Sequence, residues 1–428
     1  MRVLFTTFAW PSHYFPMVPL AWALRAAGHD VRMTSQPDLL PAMRDSGLLA
    51  TAVGRDLDVA NPPHRESPVP VPAPSVQRTD RVFDNLVTGF AGAHRVHSPD
   101  AVRRIEDEAR SMFRTVWADR SSAGSPGLAV YCDVAEAMVD DLLALARTYR
   151  PDLIVYNPLT FAGPIVAKLV GVPAVRNVFA PDATYFMVGD TPGLGALLRR
   201  CGLDEVDLIG TSTVDSCPPS LQFPEYVVPT HRIFVRHIPY HGLAEIPQWL
   251  SDPPDRPRIC LTWGTSNDRI LGEKAFLPGE LLDGAAKLAD ERDAELVLAI
   301  TASQRPLLPD LPTAVRVVES VPLNALLATC DAIIHQGGTG TLLTALRHGL
   351  PQLVLPQLLN QPANACRLVA SGAGRTLAAT GLAAADLVAT GHELLDEPAY
   401  RTAAQRLQQE ILDQPSPADV VGHLVALI

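Results

Sequence analysis

Ile333-Ile334-His335-Gln336-Gly337-Gly338-Thr339-Gly340-Thr341-Leu342-Leu343 is the stretch that decides how this chain is read. The apolar run Ala332 to Ile334 predicts a buried parallel strand, the glycines behind it a tight turn, and Leu342 to His348 a helix stopped by Gly349. A strand, a glycine-rich loop and a helix N-terminus point several backbone N–H groups and the positive end of the helix dipole at one spot. Glycine lets a bulky anion approach that backbone closely. The stretch therefore reads as a phosphate or diphosphate seat, with a merely tight βα turn as the structural alternative. His335 would add a donor or a positive charge, and Thr339 and Thr341 add hydroxyls. No Gly-Lys-Ser/Thr follows, so this is not a P-loop, and the Gly-x-Gly-x-x-Gly spacing is not met either.

Upstream, Val3 to Thr6 predicts a strand and Val18 to Ala27 a helix with Leu20, Ala23, Leu24 and Ala27 on one face and Gly28 as its cap. Val31 to Ser35 completes a βαβ unit. The loop between, residues 7–16, falls at the carboxyl end of the first strand, where open α/β sheets place ligands. His13 sits in that loop. It is either an ordinary loop histidine or, facing a cleft, a group able to titrate near neutrality as a general base must. The proline-dense run Asn61 to Ser75 reads as an irregular surface loop that serves as a lid or binding loop. Ala101 to Trp117 and Val134 to Tyr149 read as packing helices. A strand within Arg150 to Pro158, a helix Phe161 to Val170 and a strand Val172 to Val175 follow, with Asn157 at a strand's carboxyl end.

Between Cys217 and Pro254 the βα alternation lapses and prolines recur, which marks an interdomain connection. The alternation then resumes. Arg258 to Trp263 is a strand running into Gly264-Thr265-Ser266, a second small loop that reads either as a phosphate contact or as a generic turn. Strands at Glu295 to Ile300 and Val315 to Val318 precede the glycine loop. Gln352 to Pro356 follows it and ends at Asn360-Gln361, carboxamides suited to hydrogen-bonding hydroxyls or, in Asn360, to capping the helix from Pro362. The whole is an α/β chain of two doubly wound, Rossmann-like domains. Its bounds are drawn at 1–217, a linker at 218–240, 241–410, and a C-terminal helix at 411–428 packing back on the first domain.

Composition sets the outer limits. The chain has 428 residues, which suits two domains of roughly 200 residues each. A formal charge of −11 argues against nucleic acid or an anionic membrane surface as partner. The six cysteines form no Cys-x-x-Cys pair and no zinc spacing, so they read as reduced, buried thiols. No cleavable leader follows Met1, and no apolar run reaches the roughly 18 residues a membrane span needs. A cytoplasmic protein is expected.

At this point the residues resemble a family. His-x-Gly-Gly-x-Gly-Thr after a strand, then Gly-x-Pro-Gln and an Asn-Gln pair, is similar to the donor region of GT-B nucleotide-sugar glycosyltransferases of family 1. The likeness is strongest to the branch that attaches deoxysugars to polyketides and other antibiotics, macrolide or aromatic. Pro19 to His29, Arg150 to Leu153, Pro158 to Pro164, Leu261 to Ser266 and Val321 to Leu327 fall in that family's order. The resemblance implies a GT-B fold with the domains facing a central cleft. It implies an inverting glycosyltransferase moving a deoxysugar from a nucleoside diphosphate, dTDP or UDP with dTDP favoured, to a hydrophobic aglycone.

By resemblance, His13 is the base on the acceptor hydroxyl. Thr265, Ser266, His335, Gly337, Gly338, Thr339, Gly340 and Thr341 hold the diphosphate, Val321 and Leu323 wall the nucleotide base, and Asn360 and Gln361 read the sugar. Trp10, Tyr14, Phe15 and Asn157 would face the acceptor. Three departures stand out: Asn360 where many relatives carry Asp, Gln336 in place of a second histidine, and Asn157 in place of an acid. Asp133 is the substitute acid considered for the base's partner. No metal or other cofactor is implied, because the loop and helix dipole supply the positive field themselves. A homodimer or an auxiliary activator protein is a partner the resemblance leaves open. The rival readings are a non-catalytic homologue of the same fold and a nucleotide-sugar epimerase.

Overall fold

The computed structural model describes residues 1–60, 93–122, 129–182, 191, 193–223, 231–271, 279–312, 314–358 and 360–428. The expected lid at Asn61 to Ser75 lies outside them. In chain order the first half runs β1 (Arg2–Thr6), α1 (Pro11–Tyr14), α2 (Val18–Ala26), β2 (Asp30–Ser35), α3 (Leu40–Asp45) and β3 (Ala50–Ala52). It continues with α4 (Pro99–Ser122), α5 (Ala129–Tyr149), β4 (Leu153–Tyr156), α6 (Ala162–Val170), β5 (Ala174–Val178), α7 (Leu194–Arg200), β6 (Ser212–Asp215) and β7 (His231–Phe234). The second half runs β8 (Arg258–Thr262), α8 (Ser266–Leu271), α9 (Gly279–Glu291), β9 (Glu295–Ile300), β10 (Val315–Glu319), α10 (Leu323–Leu327) and β11 (Ala332–His335). It ends with α11 (Thr339–Arg347), β12 (Gln352–Val354), α12 (Gln361–Ser371), β13 (Gly374–Thr376), α13 (Ala384–Asp396), α14 (Pro398–Asp413) and α15 (Pro417–Val425).

Two parallel sheets result, a seven-stranded one ordered β3-β2-β1-β4-β5-β6-β7 and a six-stranded one ordered β10-β9-β8-β11-β12-β13. Helices cover both faces, so the central strands are buried throughout: β4 as Leu-Ile-Val-Tyr, β11 as Ala-Ile-Ile-His. Strand order reverses between β1 and β4 in one sheet and between β8 and β11 in the other. Those switch points open crevices at the strands' carboxyl ends, and the loops that leave β1, β4, β8 and β11 line them.

Two segments cross the bounds drawn from sequence, and a third ties the C-terminus to the first sheet. β7 lies within the expected linker yet pairs in register with β6, Val214 opposite Ile233. α4, early in the chain, puts Val102, Ile105, Ala109, Met112 and Phe113 into the core of the second sheet with Leu368 and Val369 of α12. Glu108 on α4 pairs with Arg375, which also holds Glu393 at 2.6 Å. In return, α15 buries Val420, Val421 and Leu424 against Val18, Ala21 and Leu24 of α2. Its start is set by a capping box between Ser416 and Asp419, which satisfies first-turn N–H groups that would otherwise be orphaned. The two halves thus each complete the other's core.

Candidate active site

The loop after β11 is shaped by His335. The ring is fully buried, its Nδ1 accepting from the Gly337 N–H at 3.0 Å and its Nε2 lying 2.8 Å from Gln352 Oε1. Since the Gly337 N–H can only donate, Nδ1 accepts and Nε2 carries the proton that goes to Gln352. Both nitrogens are spent inside the protein, and burial lowers the pKa to about 4. This corrects the expectation that His335 faces the diphosphate with a free donor or a positive charge. It is the bolt that bends the chain into the loop. Gly337 has φ +90°, and a Cβ there would stand 2.8 Å from Val354 Cγ1, so only glycine fits.

Gly338 then caps α11 from extended backbone, and the N–H groups of Thr339, Gly340 and Thr341 open the helix toward the crevice. Thr339 is buried, its hydroxyl accepting from Asn364 Nδ2 at 3.0 Å and Asn360 Nδ2 at 3.3 Å. Gly340 is exposed with open space where a Cβ would be.

The facing loop, after β8, turns at Gly264 with φ +66°; a Cβ there would meet Gln336 Nε2 at 2.1 Å. The Gln336 amide is therefore tucked between the two phosphate-type loops, and its buried Oε1 has no hydrogen-bond partner among the described residues. Thr265 is exposed and Ser266 half-buried at the start of α8. A web of carboxamides ties this loop to the one after β12. Gln357 Oε1 accepts from Trp263 Nε1 (3.0 Å) and Asn267 Nδ2 (2.9 Å), and Gln361 Nε2 donates to Asn267 Oδ1 at 2.7 Å. Gln361 Oε1 accepts the backbone N–H groups of Gln357 and Leu358, both at 2.8 Å. Gln361 is thus a buried strut and not a reader of sugar hydroxyls, a second correction. Asn360, beside it, is exposed. Val321 and Leu323 stand half-buried around Pro322, just past Ser320, whose φ of 55° is strained for a residue with a side chain.

Across the crevice, Pro11 starts a short helix within the expected loop, and His13 lies in it. The ring is flanked by Phe8 at 4.7 Å and Phe179 at 5.4 Å between centroids, with Tyr131 5.5 Å from Phe8 and 6.4 Å from Phe161. Phe179 is carried by a turn that ends at Asp182, held by Arg176 at 2.6 Å and Arg232 at 3.0 Å. His13 Nδ1 is 3.0 Å from Asn157 Nδ2, a fully buried side chain. Burial lowers the His13 pKa to about 4, partly offset by this hydrogen bond. Asp133 is half-buried on α5, and the partner hydrogen-bonded to His13 is Asn157 instead.

Three expected acceptor contacts fall elsewhere, Asn157 being fully buried with its carboxamide held by His13 and the Leu159 N–H. Tyr14 is fully buried in the core with its hydroxyl 2.5 Å from Ser46 Oγ, and Phe15 packs its ring edge-on against Tyr240 at 5.5 Å. On so short a helix His13 and its neighbours point in different directions, and the apolar side chains turn inward. Trp10 spans the cleft: its Nε1 donates to Ser266 Oγ at 3.2 Å, Ser12 Oγ lies 3.3 Å from the same atom, and the Arg269 guanidinium covers its ring at 4.8 Å. The two halves therefore meet at their switch points. Phe8, Phe179, Gln357, Asn267 and Asn364 were not singled out from sequence; each acquires its role from a distant segment.

Two parallel-sheet domains meeting at a crevice, with a glycine loop and helix N-terminus on one wall and a histidine on the other, define a GT-B glycosyltransferase. The chain belongs to the erythromycin biosynthesis protein CIII-like family, whose C-terminal domain matches residues 280–427 and whose N-terminal domain matches 22–79 and 125–264. It is 35% identical to 10-deoxymethynolide desosaminyltransferase of Streptomyces venezuelae, over 100% of this chain and 97% of that protein. It is 36% identical to aclacinomycin-T 2-deoxy-L-fucose transferase of Streptomyces galilaeus, over 100% and 96%. The crystal structure of glycosyltransferase VinC in complex with dTDP superimposes with a TM-score of 0.74 at 32% identity, covering 100% of this chain and 99% of that one. The chain is an enzyme of glycosyl transfer. No helix among the described residues is long and apolar enough to cross a membrane.

Proposed function

We propose that this enzyme moves a deoxysugar from its dTDP derivative to a hydrophobic, polyketide-type aglycone with inversion at the anomeric carbon. The observation that carries the reading is the opposition of the α11 N-terminus and the His13 ring, with Trp10 and Ser266 bridging the crevice between them. As the bond from the anomeric carbon to the diphosphate breaks, charge grows on the phosphate oxygens. N–H groups already aimed there stabilise it without reorganising. An acceptor held beside His13 attacks from the other face, and a single displacement inverts the centre. The aromatic surround of Phe8 and Phe179 against His13, with Tyr131 beside Phe8, suits an apolar acceptor. Val321 and Leu323 offer the base a half-buried apolar wall. The names of the relatives, transferases of desosamine and 2-deoxy-L-fucose, and the dTDP complex of a structural neighbour agree in donor chemistry.

Calorimetric titration with dTDP, UDP and NAD tests the donor side, and mass spectrometry of an aglycone panel with NMR of the new anomeric centre tests the rest. Selective dTDP binding and an inverted product are expected. Preference for NAD, or a retained configuration, overturns the reading.

A further inference from the structure

The protonation state of His13 is set by its neighbours. The Leu159 backbone N–H donates to Asn157 Oδ1 at 3.1 Å. A backbone N–H cannot accept, so the oxygen arm of the carboxamide faces Leu159 and the NH2 arm is the one 3.0 Å from His13 Nδ1. Asn157 is fully buried, its backbone fixed by bonds to Thr6 O at 3.1 Å and from the Thr160 N–H at 2.8 Å, and a flipped carboxamide would set its NH2 against the Leu159 N–H, donor against donor. An NH2 donates; Nδ1 must accept. The neutral imidazole therefore carries its proton on Nε2, the nitrogen without a protein partner among the described residues. A carboxylate at 157 would impose the opposite tautomer, accepting a hydrogen bond from Nδ1–H and leaving a lone pair on Nε2.

We infer that His13 presents Nε2–H to the acceptor as a hydrogen-bond donor, with Asn157 as its positioning residue, and that the acceptor is a phenol or enol whose hydroxyl ionises without a protein base. The inference rests on the glycosyl-transfer reading above and adds the acceptor's chemistry. The phenol gives its proton to water and docks as the phenolate, accepting from Nε2–H. An oxygen lone pair forms the bond to the anomeric carbon while the bond to the diphosphate breaks, its electron pair leaving on the diphosphate oxygen. A phenol ionises near pH ~10, as tyrosine does, whereas an aliphatic alcohol resembles water at ~16 and needs the lone pair that Nε2 here lacks. The rings of Phe8 and Phe179 that flank His13, with Tyr131 edge-on to Phe8, match an aromatic acceptor.

Long-range proton–nitrogen correlation on 15N-labelled protein reads the tautomer directly, His13 being assigned by its absence in His13→Gln. Nε2-protonated His13 is expected in the wild type and Nδ1-protonated His13 in Asn157→Asp, an isosteric change that keeps the Leu159 bond. In parallel, transfer from dTDP-glucose is measured to 1-naphthol and to cyclohexanol. The wild type should favour the phenol by at least ~10²-fold, and Asn157→Asp should raise transfer to the alcohol at least about tenfold, the low end of what a placed base supplies. Nδ1 protonation in the wild type, equal rates on the two acceptors, or no transfer to either with dTDP bound overturns the inference alone. Failure to bind dTDP overturns the glycosyl-transfer reading with it.

Discussion

Replacing His335 with alanine separates a group that touches the ligand from one that builds the loop. The ring is fully buried and makes two hydrogen bonds, from the Gly337 N–H at 3.0 Å and to Gln352 Oε1 at 2.8 Å. Alanine leaves both of those groups buried without a partner, at about 1–3 kcal/mol each, so roughly 2–6 kcal/mol of stability is lost before the cavity is counted. At about 2–4 °C per kcal/mol for a domain of this size, the melting temperature should fall by roughly 5–20 °C. Asparagine offers a sharper comparison. Gly337 lies two residues on, and an asparagine oxygen readily accepts from an N–H two residues ahead in an Asx turn. His335→Asn should therefore keep the first bond, lose the second, and recover about half of the stability. Thermal unfolding by circular dichroism, with and without dTDP, reads both quantities. A His335→Ala protein that melts like the wild type but has lost nucleotide affinity would refute this reasoning and return His335 to the phosphate.

Three further outcomes follow from the same geometry. Gly264→Ala forces a Cβ to within 2.1 Å of Gln336 Nε2 at a φ of +66°, so dTDP affinity by calorimetry should fall at least about tenfold, a loss of ~1.4 kcal/mol. Leu424→Ala on α15, fully buried against α2, should cost about 2–5 kcal/mol in urea unfolding, and an unchanged midpoint would show that α15 does not complete the first core. Burial lowers His13 and His335 to about 4 and His237 to about 3, while it raises Asp215 to about 7. The unfolded chain binds the histidine protons first as pH falls, so their contribution is intact above about pH 6.5 and is lost on the way to pH 4. Asp215 works in the opposite sense, with its stability contribution shrinking as pH rises from about 4 to 7. Three protons against one leaves a net loss of stability on acidification from pH 6.5 to 4, checked by melting temperature against pH; a flat or inverted profile would contradict the burial of these rings.

The strands β1, β2, β4, β5 and β8 to β12 and the glycine turns were legible in the sequence, because hydrophobic period and backbone permissiveness are local properties; β3, β6, β7 and β13, only three or four residues each, were not. Both switch-point loops, the helix expected from Leu342, which in the structure starts at Thr339, and the likeness to the glycosyltransferases could be read from Ile333 to Leu343 and the motifs in register with it. Direction was not legible. A strand buried on both faces gives no alternation to say which way its last residue points, so His335 looked like a ligand and proved to be a loop bolt. Gln361 looked like a sugar reader, but the backbone N–H groups of Gln357 and Leu358 claim it first. α4 leaves the half in which it lies in sequence for the core of the other, since an amphipathic helix specifies that it must be covered and not by what. The tautomer of His13 hangs on a residue 144 positions away. Its sign reverses between Asn and Asp, and only the tertiary contact that brings Asn157 to Nδ1 gives that one atom a consequence.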